Sequence, residues 1–344
     1  MIGDVLTTSI LFEAIKHKYP NAELHYLINS YTYPVVEKNP FINSFIFFKP
    51  EHEKSTLKVF QLGWTLRQQN YDVVIDVYSK LSSNLISFLS KAKLKISLDK
   101  GFNNLIYDFR FKSKLRAETN AGLAIENRLQ LLKPLNIDDS KIFRPKIYLS
   151  DAEKSNAKTL LKSSKINLNL PIIMMSVMGS SLEKTYPFPY MAKIIDRVSS
   201  QLPEAQILFN YTPCQAKEAE QIYNLCQSKS QIYFDVFGKN LREFLAITSH
   251  CKALIGNEGG AVNMAKALGV KTFTIFSPWI EKEVWNMFDD RVNHVSVHLK
   301  DYKPENYQNV KRYKNLKKDS QRLYKNFRPE YFSDLLGKFI ANKD

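Results

Sequence analysis

The segment Ala253-Leu254-Ile255-Gly256-Asn257-Glu258-Gly259-Gly260-Ala261-Val262-Asn263 sets two adjacent glycines between a buried apolar run and a helical pattern. Without a Cβ, Gly259 and Gly260 let an anionic ligand approach the backbone. The first N–H groups of the following helix lack intrahelical acceptors and sit at the positive end of its dipole. Together these features suit a pyrophosphate. Glu258 is itself anionic, so it fits a sugar hydroxyl or neighbouring N–H groups and not a phosphate. The same spacing also fits a tight strand-to-helix turn with an ordinary glycine cap. It is neither GxGxxG nor GxxxxGK[ST], which argues against dinucleotide and P-loop chemistry.

Other candidates stand at element boundaries. Asp4 precedes an apolar periodic run from Val5 to Ile15, at a natural N-cap position. Ser180, Ser181 and Lys184 lie between an apolar strand, Pro171–Val177, and a helix beginning near Tyr190. Lys80 follows the strand Asp72–Val77. The six histidines form no ligand cluster, and Cys214, Cys226 and Cys251 show no CxxC spacing. No metal site and no cofactor are expected.

The elements that must carry these residues alternate. Strands are expected near 22–28, 45–48, 72–77 and 94–98, then at 171–177, 206–209, 231–236, 253–256 and 271–276, with helices between them. That order predicts an α/β protein with parallel sheets. The Lys-rich helix 151–165, broken by Ile166-Asn167-Leu168-Asn169, marks the expected division into two Rossmann-like lobes with a ligand cleft between them. The expected domains are residues 1–165, residues 166–325 and a docked terminal helix over 326–344. The 344 residues suit two such domains.

Lys and Arg number 49 against 34 Asp and Glu, a net charge of +15, which calls for an anionic partner. The basic stretch Lys311–Lys325, with Tyr313 and Tyr324, fits a solvated or membrane-facing helix better than an RNA site, since no nucleic-acid motif accompanies it. No apolar run reaches about 18 residues, and no signal-peptide pattern opens the chain. A cytoplasmic protein, with any membrane contact peripheral at the inner leaflet, is the expectation.

The stretch Gly256–Pro278, ending Lys271-Thr272-Phe273-Thr274-Ile275-Phe276-Ser277-Pro278, resembles the C-terminal motif of glycosyltransferase family 9. These are the heptosyltransferases that build the lipopolysaccharide inner core from ADP-heptose. Gly3-Asp4-Val5-Leu6-Thr7-Thr8, Tyr71-Asp72-Val73-Val74-Ile75-Asp76 and Glu183-Lys184-Thr185-Tyr186-Pro187 resemble three further family segments in the family's order. The resemblance implies a GT-B fold, with an acceptor-binding first lobe and a nucleotide-sugar-binding second lobe. It implies an inverting, metal-independent glycosyl transfer from a nucleotide sugar to an anionic, lipid-linked glycan.

By the same resemblance Asp4 is the general base and Lys184 neutralises the donor phosphates. Ser180, Ser181, Gln215, Glu258, Gly259, Gly260 and Asn263 belong to the donor site. Lys80 and Arg128 belong to the acceptor side, Arg128 within Ile125-Glu126-Asn127-Arg128-Leu129, which resembles a family helix. The chain departs from the family at Glu258-Gly259-Gly260-Ala261-Val262-Asn263, where Asp-Thr-Gly-Pro-Met-His is usual. It also opens at the loop that a strand precedes in the family, so a missing first strand and unpaired neighbouring edges are expected. The alternative is a non-catalytic GT-B scaffold that binds nucleotide or nucleic acid.

Overall fold

A computed structural model describes residues 1–308, 310 and 312–342. Lys311, which opens the basic stretch noted above, lies outside the described residues. The chain divides into two compact units, Met1–Lys146 and Ile147–Asp344.

The first unit holds two parallel sheets. Strands β1 (His25–Asn29) and β2 (Ser44–Phe48) form one. Strands β3 (Val73–Asp76), β4 (Leu94–Leu98) and β5 (Phe109–Phe111) form the other. Among the described residues no ladder joins β1 to β3. Strand β5 escaped the sequence reading because Phe-Arg-Phe lacks an apolar run and is largely exposed. The helices Thr56–Arg67 and Leu81–Leu89 pack closely. Gly63 permits this, since a Cβ there would stand 2.8 Å from Leu89 Cδ1. Their inner faces bury Val59, Leu66 and Ile86 against Leu27, Ile46 and Phe48 of the β1–β2 pair.

The single helix expected over 5–15 is two helices, Ile2–Thr8 and Ile10–Lys18, with Ser9 between them. Ser9 Oγ donates to Leu6 O at 2.7 Å, turning back on the preceding turn. Asp4 is therefore inside the first turn and is not the cap. Met1 occupies the cap position, and no side chain caps this helix.

The second unit is a six-stranded parallel sheet in the order β11-β10-β9-β6-β7-β8. The strands are β6 (Ile172–Ser176), β7 (Gln206–Asn210), β8 (Ile232–Tyr233), β9 (Ala253–Asn257), β10 (Lys271–Ile275) and β11 (His294–Val297). Ile173, Met175, Ile207, Phe209 and Ile255 enter the core under one face; Ile172, Met174, Leu208 and Leu254 enter the core under the other. Burial on both faces explains why these strands read as continuous apolar runs. The terminal helix Ser333–Ala341 packs into this unit through Leu336, Phe339 and Ile340.

The division at residues 146 and 147 lies some way before the expected one at 166. Helix Asp151–Ser163 packs on helix Leu241–Thr248 and so belongs to the second unit. Arg242 Nε reaches Glu153 Oε1 at 2.7 Å and its Nη2 reaches Oε2 at 2.8 Å, fastening the two. Only Ala157 and Leu161 of the helix are buried, so its sequence looks like a solvated linker.

Candidate functional site

Strand order in the second unit reverses between β6 and β9, and ligands of parallel sheets sit at such a switch point, beyond the carboxyl ends of the strands. The loops leaving β6 and β9 carry Ser180, Ser181, Lys184, Glu258, Gly259 and Gly260. Gly256 lies opposite Ser176 in the ladder. Its φ is +135°, and a Cβ would stand 2.4 Å from Ser176 O, so only glycine fits. Asn257, fully buried, then joins the two loops. Its Nδ2 donates to Ser176 O and Val177 O, both at 2.9 Å, and its Oδ1 accepts from Tyr186 N at 2.7 Å.

After this clamp the backbone opens. A Cβ at Gly259 would meet nothing within 4 Å, and one at Gly260 only Met264 Cε at 3.9 Å. The helix Gly260–Ala267 starts immediately, so its first N–H groups face accessible space. Asn263 is half-buried in the first turn. Lys184 Nζ lies 3.1 Å from Glu258 Oε1 and 5.5 Å from the centroid of the Trp279 ring. The Lys184 contact is an ion pair without hydrogen-bond alignment. Buried Glu258 Oε1 therefore has no hydrogen-bond donor among the described residues. An acceptor atom in that state suits a ligand hydroxyl.

The turn holding Lys184 is fixed from behind. Trp279 Nε1 and Ser277 Oγ both donate to Glu183 O, at 2.8 and 2.7 Å. Lys317 lies 5.7 Å from the Trp279 ring centroid and 3.6 Å from Glu183 Oε1. The Ser181 hydroxyl hydrogen-bonds the Glu183 carboxyl and holds it below the ordinary range. Gln215 Nε2 donates to Gly179 O at 2.7 Å while its Oε1 accepts from Thr212 N and Oγ1. Gln215 thus supports the loop from beneath, and Ser180 is the exposed hydroxyl. Two lysines, a free hydroxyl and a row of open N–H groups can hold a diphosphate.

In the first unit Asp4, Arg128 and Lys80 gather around Tyr78. Arg128 Nη2 lies 3.2 Å from Asp4 Oδ1, its Nε donates to Thr8 Oγ1 at 2.8 Å and its Nη1 to Ala124 O at 2.7 Å. Arg128 therefore orients the Asp4 carboxylate, which also lies 3.6 Å from the Met1 amine. The Tyr78 phenol is hydrogen-bonded to Asp4; burial first, then the Asp4 charge, push its pKa far above the ordinary range. Lys80 Nζ stands 5.1 Å from the Tyr78 ring centroid. Asp76 sets this loop, accepting from Tyr78 N and Ser79 N at 2.9 Å each. Among the described residues no three His, Cys, Asp or Glu side chains gather as metal ligands, and no helix is long and apolar enough to cross a membrane.

Residues 59–315 match the family described as glycosyltransferase family 9 (heptosyltransferase). The chain belongs to glycosyltransferase family 9. Its α/β architecture is of the GT-B class that the family's solved members share. Lipopolysaccharide heptosyltransferase 1 of Campylobacter coli is 23% identical over 286 residues, covering 80% of this chain and 81% of that protein. A family 9 glycosyltransferase from Veillonella parvula superposes with a TM-score of 0.73 at 14% identity, covering 94% of each chain. The E. coli heptosyltransferase WaaC with ADP gives 0.66 at 14% identity, over 98% of this chain and 96% of that one.

Of the residues expected from the sequence, the structure gathers Lys184, Glu258, Gly259 and Gly260 in the second unit and Asp4, Lys80 and Arg128 in the first. Asn257, Trp279, Lys317 and Tyr78, which stand among them, were not expected there. Asn257 sits inside the glycine motif and Tyr78 just past the carboxyl end of β3, so position alone was a signal for both. Lys317 lay within the basic stretch 311–325 and Trp279 directly after the motif ending at Pro278, but neither residue type pointed to the loop it supports.

Proposed function

We propose that this glycosyltransferase moves heptose from ADP-heptose to a sugar of the lipopolysaccharide core, inverting the anomeric centre without a metal. The observation that carries the reading is the switch-point cradle: Lys184 beside Glu258, above a glycine-opened helix start. In the proposed step Asp4 takes the proton of the acceptor hydroxyl. That oxygen attacks the anomeric carbon, and the bond to the diphosphate oxygen breaks. Lys184, the Ser180 hydroxyl and the first N–H groups of helix Gly260–Ala267 receive the charge that develops on the leaving ADP. Lys184 exchanges Glu258 for phosphate as the donor binds. The freed Glu258 carboxylate accepts from a sugar hydroxyl. Lys80 meets the anionic acceptor, while Arg128 keeps Asp4 aimed. A lipid-linked acceptor brings a chain of net charge +15 to the anionic cytoplasmic leaflet.

The test joins calorimetry with ADP in EDTA to transfer from ADP-heptose onto heptose-deficient core, with the product anomer read by NMR. Asp4→Asn is expected to lower kcat by about 10²–10⁴ and to leave ADP affinity near wild type, whereas Lys184→Ala weakens ADP binding. Wild-type turnover by Asp4→Asn, or loss of transfer in EDTA, overturns the mechanism.

A further inference from the structure

Helix Thr56–Arg67 turns an apolar stripe outward. Leu57, Phe60 and Trp64 recur at helical spacing and are 65%, 44% and 49% exposed, while Val59, Gly63 and Leu66 fill the buried side. Phe88, 52% exposed on the neighbouring helix Leu81–Leu89, adds a fourth apolar side chain. The Phe60 and Trp64 rings stack with centroids 6.3 Å apart and planes 14° from parallel. The Arg67 guanidinium lies 5.1 Å from the Trp64 ring centroid, and Lys91 Nζ lies 5.7 Å from that of Phe88. Trp64, Arg67, Gln68, Asn70, Ser90 and Lys91 line one shallow groove between the carboxyl ends of the two helices.

The charge around this stripe is predominantly positive, with Glu51 and Glu53 confined to the short helix Pro50–Lys54 packed beside its amino end. Residues 54–71 contain Lys54, Lys58 and Arg67 and no acid; residues 77–98 contain Lys80, Lys91, Lys93 and Lys95 and no acid. Asp72, between the two segments, is held by Lys93 at 2.7 Å, and Asp76 is buried.

We propose that this face, built on Phe60, Trp64 and Phe88 with Arg67 and Lys91, seats the protein on an anionic lipid bilayer. The ring edges and Leu57 enter the headgroup–acyl boundary, where tryptophan is at home, and the cations stay at the phosphate level. The groove, with the two cations and the Gln68 and Asn70 amides, takes a lipid phosphate. A second copy of the chain does not suit the face, because a two-fold contact would bring two predominantly basic patches together. The assignment rests on the membrane part of the functional reading and specifies which surface performs it. It does not depend on the sugar transferred.

Vesicle co-sedimentation of the full chain tests it, with phosphatidylcholine alone and with phosphatidylglycerol added. Wild type is expected to bind the anionic vesicles in a salt-sensitive manner. Phe60→Ser/Trp64→Ser is expected to reduce that partitioning about tenfold or more, and Arg67→Glu/Lys91→Glu to remove its dependence on phosphatidylglycerol. Both variants should melt like wild type and transfer heptose normally to a water-soluble core oligosaccharide. If both variants bind vesicles as wild type does, the surface is wrong while the membrane reading stands. If wild type binds no anionic vesicle, both fall. Single-stranded RNA captured through these residues, with vesicles ignored, also overturns the assignment.

Discussion

Replacing Asn257 by alanine tests what places the phosphate-side loop. The side chain is fully buried and makes three hydrogen bonds to backbone groups of Ser176, Val177 and Tyr186, all themselves buried. Each such bond contributes about 1 kcal/mol net, and a buried partner left unsatisfied costs about 1–3 kcal/mol. Asn257→Ala should therefore destabilise the second unit by about 3–5 kcal/mol, read as a shift of its transition in urea. The segment carrying Ser180, Ser181 and Lys184 would lose its tie to β9. ADP affinity should then fall about tenfold or more, equivalent to about 1.4 kcal/mol, in calorimetry under native conditions. Asn257→Asp keeps the volume and the acceptor for Tyr186 N, but turns a carboxylate oxygen toward two carbonyls. It should be at least as damaging, which separates lost donors from a simple cavity. A loss below about 1 kcal/mol, or a large loss with ADP affinity unchanged, would refute the reasoning.

Two further outcomes follow from the same unit. Gly256→Ala should destabilise by more than about 3 kcal/mol, because backbone strain adds to a Cβ placed 2.4 Å from Ser176 O; Gly269→Ala, at φ +76° with open space around it, should cost about 1 kcal/mol. Equal unfolding shifts for the two would contradict the close approach of β6 and β9. The hydrogen bond from Arg242, then those from Ser150 against the opposing effect of burial, lower the Glu153 pKa from 4.5 to about 2. A carboxyl held lower in the folded state stabilises fully above its unfolded pKa and loses that contribution as pH falls toward the folded value. Glu153→Gln should thus cost about 1–2 kcal/mol at neutral pH, allowing for partial exposure, and the gap from wild type should close between about pH 4.5 and 2. A gap independent of pH would show that the Arg242 pair does not fasten the leading helix.

The sequence made the second unit legible because its strands are buried on both faces. Ile172 and Met174 go to one core and Ile173 and Met175 to the other, so every position must be apolar. Strand β8 is the exception that shows the rule: 231–236 reads apolar, yet only Ile232 and Tyr233 pair, at the sheet's edge. The site was legible where chemistry depends on backbone, at Gly256, Gly259 and Gly260, because few residues other than glycine serve there. It was illegible where one side chain holds another from afar. Asp4 was found, but not its place inside the helix, which is set against Arg128, 124 positions away. Trp279 and Ser277 fix Glu183 across more than 90 positions, and neither residue type advertises that task.

This division also explains how the motif at 258–263 can depart from its family without losing the cradle. What fixes the loop is upstream of the departures. Gly256 sets the approach of β9 to β6, and Asn257 pins the opposite loop through three backbone groups. Glu258 N adds a further tie to Ile275 O at 3.0 Å. From that point the open groups are backbone N–H donors, which every residue but proline supplies, and Ala261 supplies one where the family usually has proline. A glycine at 259 gives up a hydroxyl but opens the backbone, since nothing lies within 4 Å of where a Cβ would be. The longer Glu258 carboxylate is still met by Lys184, at 3.1 Å. On the proposed function, diphosphate binding is therefore expected to tolerate the changes. On the same proposal, recognition of the sugar is expected to pass to the side chains that differ, above all Glu258 and Asn263, and these are where donor choice in this chain should be sought.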